Sequence, residues 1–372
     1  MLNKKKKIKI GLLGTRGIPN KYGGFEQFVQ FFAEYLDDKN FEVTVYNPHF
    51  HKDKNYNLKN VKIVYKWCPE HFLGAAAHFI YDFICLRDSL KRKHDIIFEF
   101  GYGTVAIFYY LLPIYNSKII TNMDGIEWKR SKWNFLIKKF MKWSESIAAK
   151  KSDILISDNY GIQVYLKKEY NKDSIMIPYG SNIFDNANKK ILKNFKLKEY
   201  DYYLIIARLE RENNIEMILD GFINSKSGTK FIIVGNHTNK YGKFLLNKYK
   251  NYDKIIFLNG IYDIDIINNL RFFSKYYFHG HSVGGTNPSL LEAMGCSSFI
   301  ISNNNIYNKN VLGKDAFYFS SIKEVSNLLS NTELLDNKRD LFVNNNIDKI
   351  KSTYNWNTIN KKYIRIAERL GK

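Results

Sequence analysis

The chain has 372 residues, 45% hydrophobic and 16% aromatic, which is ample for two packed cores of ordinary domain size. Lysine and arginine (57) outnumber aspartate and glutamate (36), and the formal balance of +21 attracts nucleic acid, anionic lipid or phosphorylated substrates without choosing among them. Three scattered cysteines, Cys68, Cys85 and Cys296, lack any CxxC or Cys/His spacing and argue against a disulfide framework or a zinc site, while FLGAAAHFIYDFICL and VAIFYYLLPIY are too short or too interrupted to span a bilayer.

The N-terminal MLNKKKKIKIGLLG runs from a basic cluster directly into a strand and a glycine loop and is not read as a signal peptide. Short β-branched and aromatic runs then alternate with helical patterns: IKIGLL, EVTVY, VKIVY, DIIFEF, KIITNM and DILIS, separated by segments such as FEQFVQFFAEYLDDK. Such alternation spells βαβ units and a helix-covered parallel sheet. Residues 181–200, SNIFDNANKKILKNFKLKEY, are polar and lysine-rich and read as a linker. The alternation restarts with YYLIIA, KFIIVG, KIIFLN, YYFH, SFIIS and FYF. The expected fold is therefore α/β, two Rossmann-like parallel-sheet domains over residues 1–185 and 186–372. The terminal WNTINKKYIRIAERL has helical apolar spacing, and a helix over about residues 355–370 is free to return to the first domain.

Open parallel sheets bind ligands beyond the carboxyl ends of their strands, which singles out five loops. They are GTRGIPNKYGGFE (14–26), NMDGIEWKR (122–130), SDNYGI (157–162), ARLERENN (207–214) and HGHSVGGTNPSLLEAMGC (279–296). In the last, Asn287 suits an N-cap and Pro288 the first helical position, with Leu290, Leu291, Ala293 and Met294 carrying a short helix to Gly295. Gly284, Gly285 and Thr286 then lead to a helix N-terminus whose unpaired N–H groups suit a phosphate. The alternative is a tight turn that binds nothing.

Other chemistries fit less well. The first loop spaces its glycines as Gly11, Gly14 and Gly17 rather than GxGxxG, and Asn47 stands where a dinucleotide enzyme needs a ribose-binding acid. No P-loop is present. Asp263 and Asp265 form a DxD, but they open a helical pattern in which Asp263 suits an N-cap. His279 and His281 have no third ligand nearby in sequence, so no metal is expected. Nucleic-acid binding, the reading from a different class, finds no helix-turn-helix, RRM or zinc motif and is not expected either.

Taken in order, GTRGIPNKYGGFEQFV, NMDGIEWKRSKW, SDNYGIQVYL, IPYGSN, ARLERENNIE and HGHSVGGTNPSLLEAMG resemble the bacterial polysaccharide glycosyltransferases of family 4 that carry a rhamnosyltransferase-type N-terminal domain. That resemblance implies a GT-B fold with two domains facing across a cleft, the acceptor on the N-terminal one and the nucleotide sugar on the C-terminal one. It implies transfer with retention and without metal or other cofactor. It makes Glu292 the ribose ligand, places Gly285, Thr286 and Asn287 at the diphosphate or donor sugar, and gives Arg208, with Arg16, the leaving diphosphate. Gly23 and Gly24 become the loop through which the N-terminal domain approaches the donor. Two positions depart from the wider pattern: Gly284 replaces a glutamate, which shifts donor-sugar contacts toward His281 or backbone, and Asn213 replaces a lysine, which leaves Arg208 with Arg16 as the main diphosphate clamp.

Asp124 stands where many relatives carry a histidine, and Asp158 and Tyr179 lie in matching cleft loops. Either carboxylate suits orienting or deprotonating the acceptor hydroxyl; the bland readings are a turn former for Asp124, a helix N-cap for Asp158 and packing for Tyr179. The resemblance points to dTDP-rhamnose as donor, with galactosyl, glucosyl and fucosyl transfer as alternatives, and to an undecaprenyl-diphosphate-linked saccharide as acceptor in capsule or O-antigen assembly. A cytoplasmic protein, peripheral on the inner face of the membrane, follows. In KRSKWNFLIKKFMKWSESIAAKK, residues 129–151, Trp133, Ile137, Phe140 and Trp143 or Ser144 recur at helical spacing among lysines, a pattern suited to an anionic leaflet or to ordinary packing on the sheet.

Overall fold

The computed structural model describes residues 7–371 apart from positions 22, 115, 124 and 132. The chain forms two compact units: Met1–Lys129, Trp133–Pro178 and Trp356–Lys372 make the first, Arg130–Lys132 and Tyr179–Asn355 the second.

The first unit is built on β1 (Ile8–Leu13), β2 (Phe41–Pro48), β3 (Val61–Lys66), β4 (Ile96–Phe100), β5 (Lys118–Asn122), β6 (Ile154–Ser157) and β7 (Ile175–Met176). They form one parallel sheet in the order β3-β2-β1-β4-β5-β6-β7. The central strand β4 is buried at every position, as a strand covered on both faces must be. Each expected strand lies where its β-branched run predicts; β7, two residues at the edge, is too short to leave a periodic signal.

The second unit repeats the scheme with β8 (Tyr202–Ile206), β9 (Lys230–Val234), β10 (Ile255–Leu258), β11 (Tyr276–His279), β12 (Ile300–Asn303) and β13 (Phe317–Phe319). These are again parallel, in the order β10-β9-β8-β11-β12-β13. Its core is aromatic: Tyr203 stacks on Tyr276 at 5.3 Å, and Phe222, Phe231 and Phe278 close around them. The segment expected as a plain linker carries a 3-10 turn, Lys189–Phe195, capped by Asn188 and anchored by buried Leu192.

The terminal helix, Trp356–Leu370, belongs to the first unit and lies against the helix Gly24–Asp37. Trp356 stacks on Phe31 at 4.5 Å, and Tyr363 meets Phe28 at 4.7 Å and Phe32 at 5.3 Å. Asn122, at the end of β5, donates from Nδ2 to the Tyr363 hydroxyl at 3.1 Å. The first unit is thus closed by the last segment of the chain.

In both sheets the strand order reverses once, between β1 and β4 and between β8 and β11. A parallel sheet opens a crevice at such a switch point, because the loops on its two sides lead away in opposite directions. The loops after β8 and β11 hold Arg208 and the Gly284–Asn287 turn, so topology selects the same loops that their composition does.

Candidate active site

Two loops of the second unit are tied into one ledge. After β8 the chain turns through Arg208 and a 3-10 turn, Arg211–Asn213, to Asn214, whose φ of +49° is left-handed. Asn213 Nδ2 donates to the Arg208 carbonyl at 2.7 Å, and its Oδ1 accepts from His281 Nδ1 at 3.0 Å. Asn214 Nδ2 donates to the Gly280 carbonyl at 2.7 Å, while both the amide and hydroxyl of Ser282 donate to the Glu212 carbonyl at 2.9 Å. A Cβ at Gly280 would stand 1.9 Å from the Asn213 carbonyl oxygen, so only glycine permits this approach. From the other side, Asn305 and Asn308 each donate to the His281 carbonyl at 3.0 Å.

Beyond His281 the backbone reaches Gly284, buried with φ +108°, a conformation that strains any residue with a side chain. Glycine is the residue that adopts this conformation without strain. Asn287 then caps the helix Pro288–Gly295 by accepting from the Ser289 amide at 2.9 Å, as its sequence predicts. The last turn of approach, Gly285 and Thr286, therefore delivers backbone to the positive end of a helix dipole. One turn on, Glu292 Oε2 accepts from Arg271 Nη2 at 2.6 Å. Arg208 is exposed at the mouth of the ledge.

His281 is held neutral: burial lowers its pKa to about 4, the charges of Arg130 and Arg208 push the same way, and Glu212 opposes them. His279 is lowered further, to about 3, by burial first and then by His281 and Arg271. Asp263 is an N-cap, its Oδ1 accepting from the amides of Asp265 and Ile266 at 2.9 and 3.1 Å. Among the described residues no three His, Cys, Asp or Glu side chains gather as a metal site.

In the first unit, the loop after β1 is shaped by Gly14 (φ +83°) and Gly17 (φ +93°). Asn47, at the end of β2, holds that loop by both ends of its amide: Oδ1 accepts from the Ile18 amide at 3.0 Å and Nδ2 donates to the Ile18 carbonyl at 2.7 Å. The position a dinucleotide enzyme gives to ribose is here occupied by loop bracing. Gly23 is the extended N-cap of the helix Gly24–Asp37. The Arg16 amide donates to Glu26 Oε1 at 2.8 Å and its guanidinium to Glu70 Oε1 at 3.0 Å. Arg16 lines a cavity of about 480 Å³ with Lys21, Glu26, Phe50, Glu70 and His71.

Asp158 is buried just past β6, but the cap of the helix Tyr160–Tyr170 is its neighbour Asn159, which accepts from the Gly161 amide at 2.9 Å. Tyr179 is buried at the start of the second unit's main segment. Asp124 lies outside the described residues. Sequence reasoning passed over Arg271, Asn214, Asn305 and Asn308. For Arg271 a signal existed: it falls four residues after Ile267 and next to Leu270, on the apolar face of the helix Ile264–Phe272.

The fold and the two halves of the chain have known relatives. Residues 187–346 match the family described as glycosyl transferases group 1, and residues 7–182 match a domain of unknown function, DUF1972. An uncharacterized glycosyltransferase of Methanocaldococcus jannaschii is 24% identical over 402 aligned residues, covering 98% of this chain and 99% of the relative. Sucrose-phosphate synthase from Thermosynechococcus elongatus superposes with a TM-score of 0.83 at 13% identity, over 98% of this chain and 99% of its own. HepE of Anabaena, solved in complex with UDP-glucose, superposes with a TM-score of 0.75 at 12% identity, over 98% of this chain and all of its own (100%).

The histidines set a pH dependence. Because the folded state depresses their pKa below 6.5, it binds fewer protons than the unfolded chain, and their contribution to stability is complete above pH 6.5 and is lost as pH falls through about 4. The His281 ring should titrate near 4 when followed by NMR of its Cε1–H resonance. A midpoint near the ordinary 6.5 would contradict the buried, neutral ring.

Proposed function

We propose that this GT-B-fold glycosyltransferase moves a sugar, L-rhamnose before galactose, glucose or fucose, from a nucleotide-diphosphate donor to a lipid-linked saccharide with retention of configuration. The observation that carries the reading is the second unit's switch point, where the Gly284–Gly285 turn, exposed Arg208, the Asn287-capped helix start and Glu292 on that helix lie after the two strands β8 and β11.

A glycosidic transfer needs the leaving diphosphate's charge met as the sugar carbon becomes oxocarbenium-like. Preset amides and a guanidinium meet it without reorganising during the reaction. Arg208 and the amides of Gly285 to Asn287 take that role, and Glu292 accepts a ribose hydroxyl. His281, neutral and fixed by Asn213, offers a hydrogen-bonding edge to the donor sugar in place of the missing glutamate. The cavity beside Arg16 suits the acceptor saccharide, since Phe50 supplies an apolar wall and Glu26, Glu70 and His71 supply polar edges. Asp158 and Asp124 are the carboxylates assigned to the acceptor hydroxyl.

A lipid-linked acceptor requires a surface that meets the bilayer. No helix among the described residues is long and apolar enough to cross one. On the helix Phe135–Lys151, however, Phe135 (68% exposed), Leu136 (74%) and Trp143 form an outward stripe, with Lys139 over the Phe135 ring at 4.5 Å. Phe140 connects that stripe to Phe79 of the helix Ala77–Lys91 at 5.4 Å. Tyr110 and Leu111, just past the 3-10 turn Ala106–Tyr109 that packs on the same helix, are exposed, and Lys151 lies over Tyr110 at 4.4 Å. The opposite face, Ser144, Glu145, Ile147, Ala148 and Ala149, is buried, so the helix packs on the unit and still presents an apolar, lysine-rimmed side. The stripe differs from the sequence expectation in its members: Ser144 turns inward, and Lys142 is engaged by Glu169 and the Tyr165 hydroxyl, each at 2.7 Å.

A donor screen of dTDP-rhamnose, UDP-glucose, UDP-galactose, UDP-GlcNAc and GDP-fucose with a GlcNAc-diphosphate-lipid acceptor, followed by NMR of the new linkage, tests the substrate and the stereochemistry. Turnover with dTDP-rhamnose and a retained anomer is expected; turnover only with a UDP-hexose rejects the sugar, and an inverted product rejects the mechanism. In the same assay Arg208→Ala should lower kcat by about 10²–10³-fold, with a smaller change in donor KM. An effect confined to KM would remove Arg208 from the charge-stabilising role. Sedimentation with anionic vesicles should exceed that with neutral ones, weaken with salt and fall in Phe135→Ser/Leu136→Ser; equal binding to both vesicle types overturns the membrane surface.

A further inference from the structure

Arg271 has no part in the charge chemistry just described, yet its side chain is 2% exposed and among the bulkiest that are fully buried. A guanidinium taken out of water is costly unless its charge and donors are met. Nη2 donates to Glu292 Oε2 at 2.6 Å and to Ser289 Oγ at 3.2 Å, and Nη1 to Asn268 Oδ1 at 3.3 Å. Ser289 is itself fixed, 2.9 Å from the hydroxyl of buried Tyr277. The pair is asymmetric: Glu292 is 24% exposed, so its carboxylate lies at the outer end of an anchor rooted in the core.

We propose that Arg271 is a positioning residue for donor binding. It holds the Glu292 side chain in the orientation that accepts a ribose hydroxyl. A free glutamate samples many rotamers and gives up that freedom when a ligand arrives; one clamped by a buried guanidinium has given it up on folding. Through Ser289 the same guanidinium also grips the first turn of the helix Pro288–Gly295 that carries Glu292, so the acid is held from a second helix, Ile264–Phe272. This inference rests on Glu292 as the ribose ligand.

The test is a cycle between protein variant and ligand hydroxyl, read by calorimetry. The probes are UDP against 3′-deoxyuridine diphosphate and dTDP against 2′,3′-dideoxythymidine diphosphate, using whichever pair the wild-type protein binds more tightly. Loss of the 3′-hydroxyl should weaken wild-type binding about 10- to 100-fold, the range of a hydrogen bond to a charged acceptor. In Glu292→Gln that discrimination should fall at least several-fold, and in Arg271→Met it should fall comparably although Glu292 is still present. Arg271→Lys, which keeps the charge, should restore part of it.

A purely structural Arg271 gives a different pattern: the methionine variant weakens both members of the pair alike and keeps the wild-type ratio, which overturns the proposal. If Glu292→Gln keeps the wild-type ratio, the ribose reading of Glu292 falls instead. Should the methionine variant fail to fold by near-ultraviolet circular dichroism, a folded lysine variant with the full wild-type ratio overturns the proposal equally. If the wild-type protein binds neither nucleotide, the donor site is misplaced and the inference goes with it.

Discussion

Loop backbone beyond the end of a strand has no ladder to join, and its amides and carbonyls still need partners. In both units asparagine side chains supply many of them. One primary amide donates and accepts at once, so it can close two backbone groups or join a backbone group to a side chain. Asn47 braces both sides of Ile18, Asn213 joins the Arg208 carbonyl to His281, and Asn214, Asn305 and Asn308 secure the carbonyls of Gly280 and His281. Asn239 adds a bond to the Leu209 carbonyl at 2.9 Å. The loops are thereby shaped before any ligand arrives, which is what catalysis by preset dipoles requires.

The same economy governs charge. The ledge keeps its two histidines neutral by burial, so positive charge there comes from arginines, among them exposed Arg208. The buried charge, Arg271, is paired with Glu292 and directed along the core-to-surface line. In the proposed transfer this separates two tasks. Fixed groups grip the nucleotide, and an exposed cation with helix-start amides answers the charge that grows on the diphosphate.

Glycines decide where backbone itself can form the site. Gly280 lets two loops touch, and Gly284 turns the chain through a left-handed conformation. A glutamate at 284 would have to adopt a strained φ, so the shape of the turn and the absence of an acid at this position go together. In the proposed mechanism the donor sugar is met by the neighbouring imidazole of His281, held in place by Asn213.

Much of this was legible in the chain. Buried parallel strands need β-branched and aromatic runs, so IKIGLL, DIIFEF or YYLII declare themselves; Asn287-Pro288 and Asp263 declare helix starts, because capping is a contact between near neighbours. The loops that follow β8 and β11 were identifiable for the same local reason. Arg271 with Glu292, Asn47 with Ile18 and Tyr363 with Phe28 were not, since nothing in a residue's neighbours along the chain names a partner 21, 29 or hundreds of positions away. The return of the last helix to the first unit, the buried ion pair and the neutral histidines arose only when folding removed water and brought those partners within bonding distance. Local pattern determined the elements and their order; desolvation and long-range pairing decided which side chains the site could use, and in what charge state.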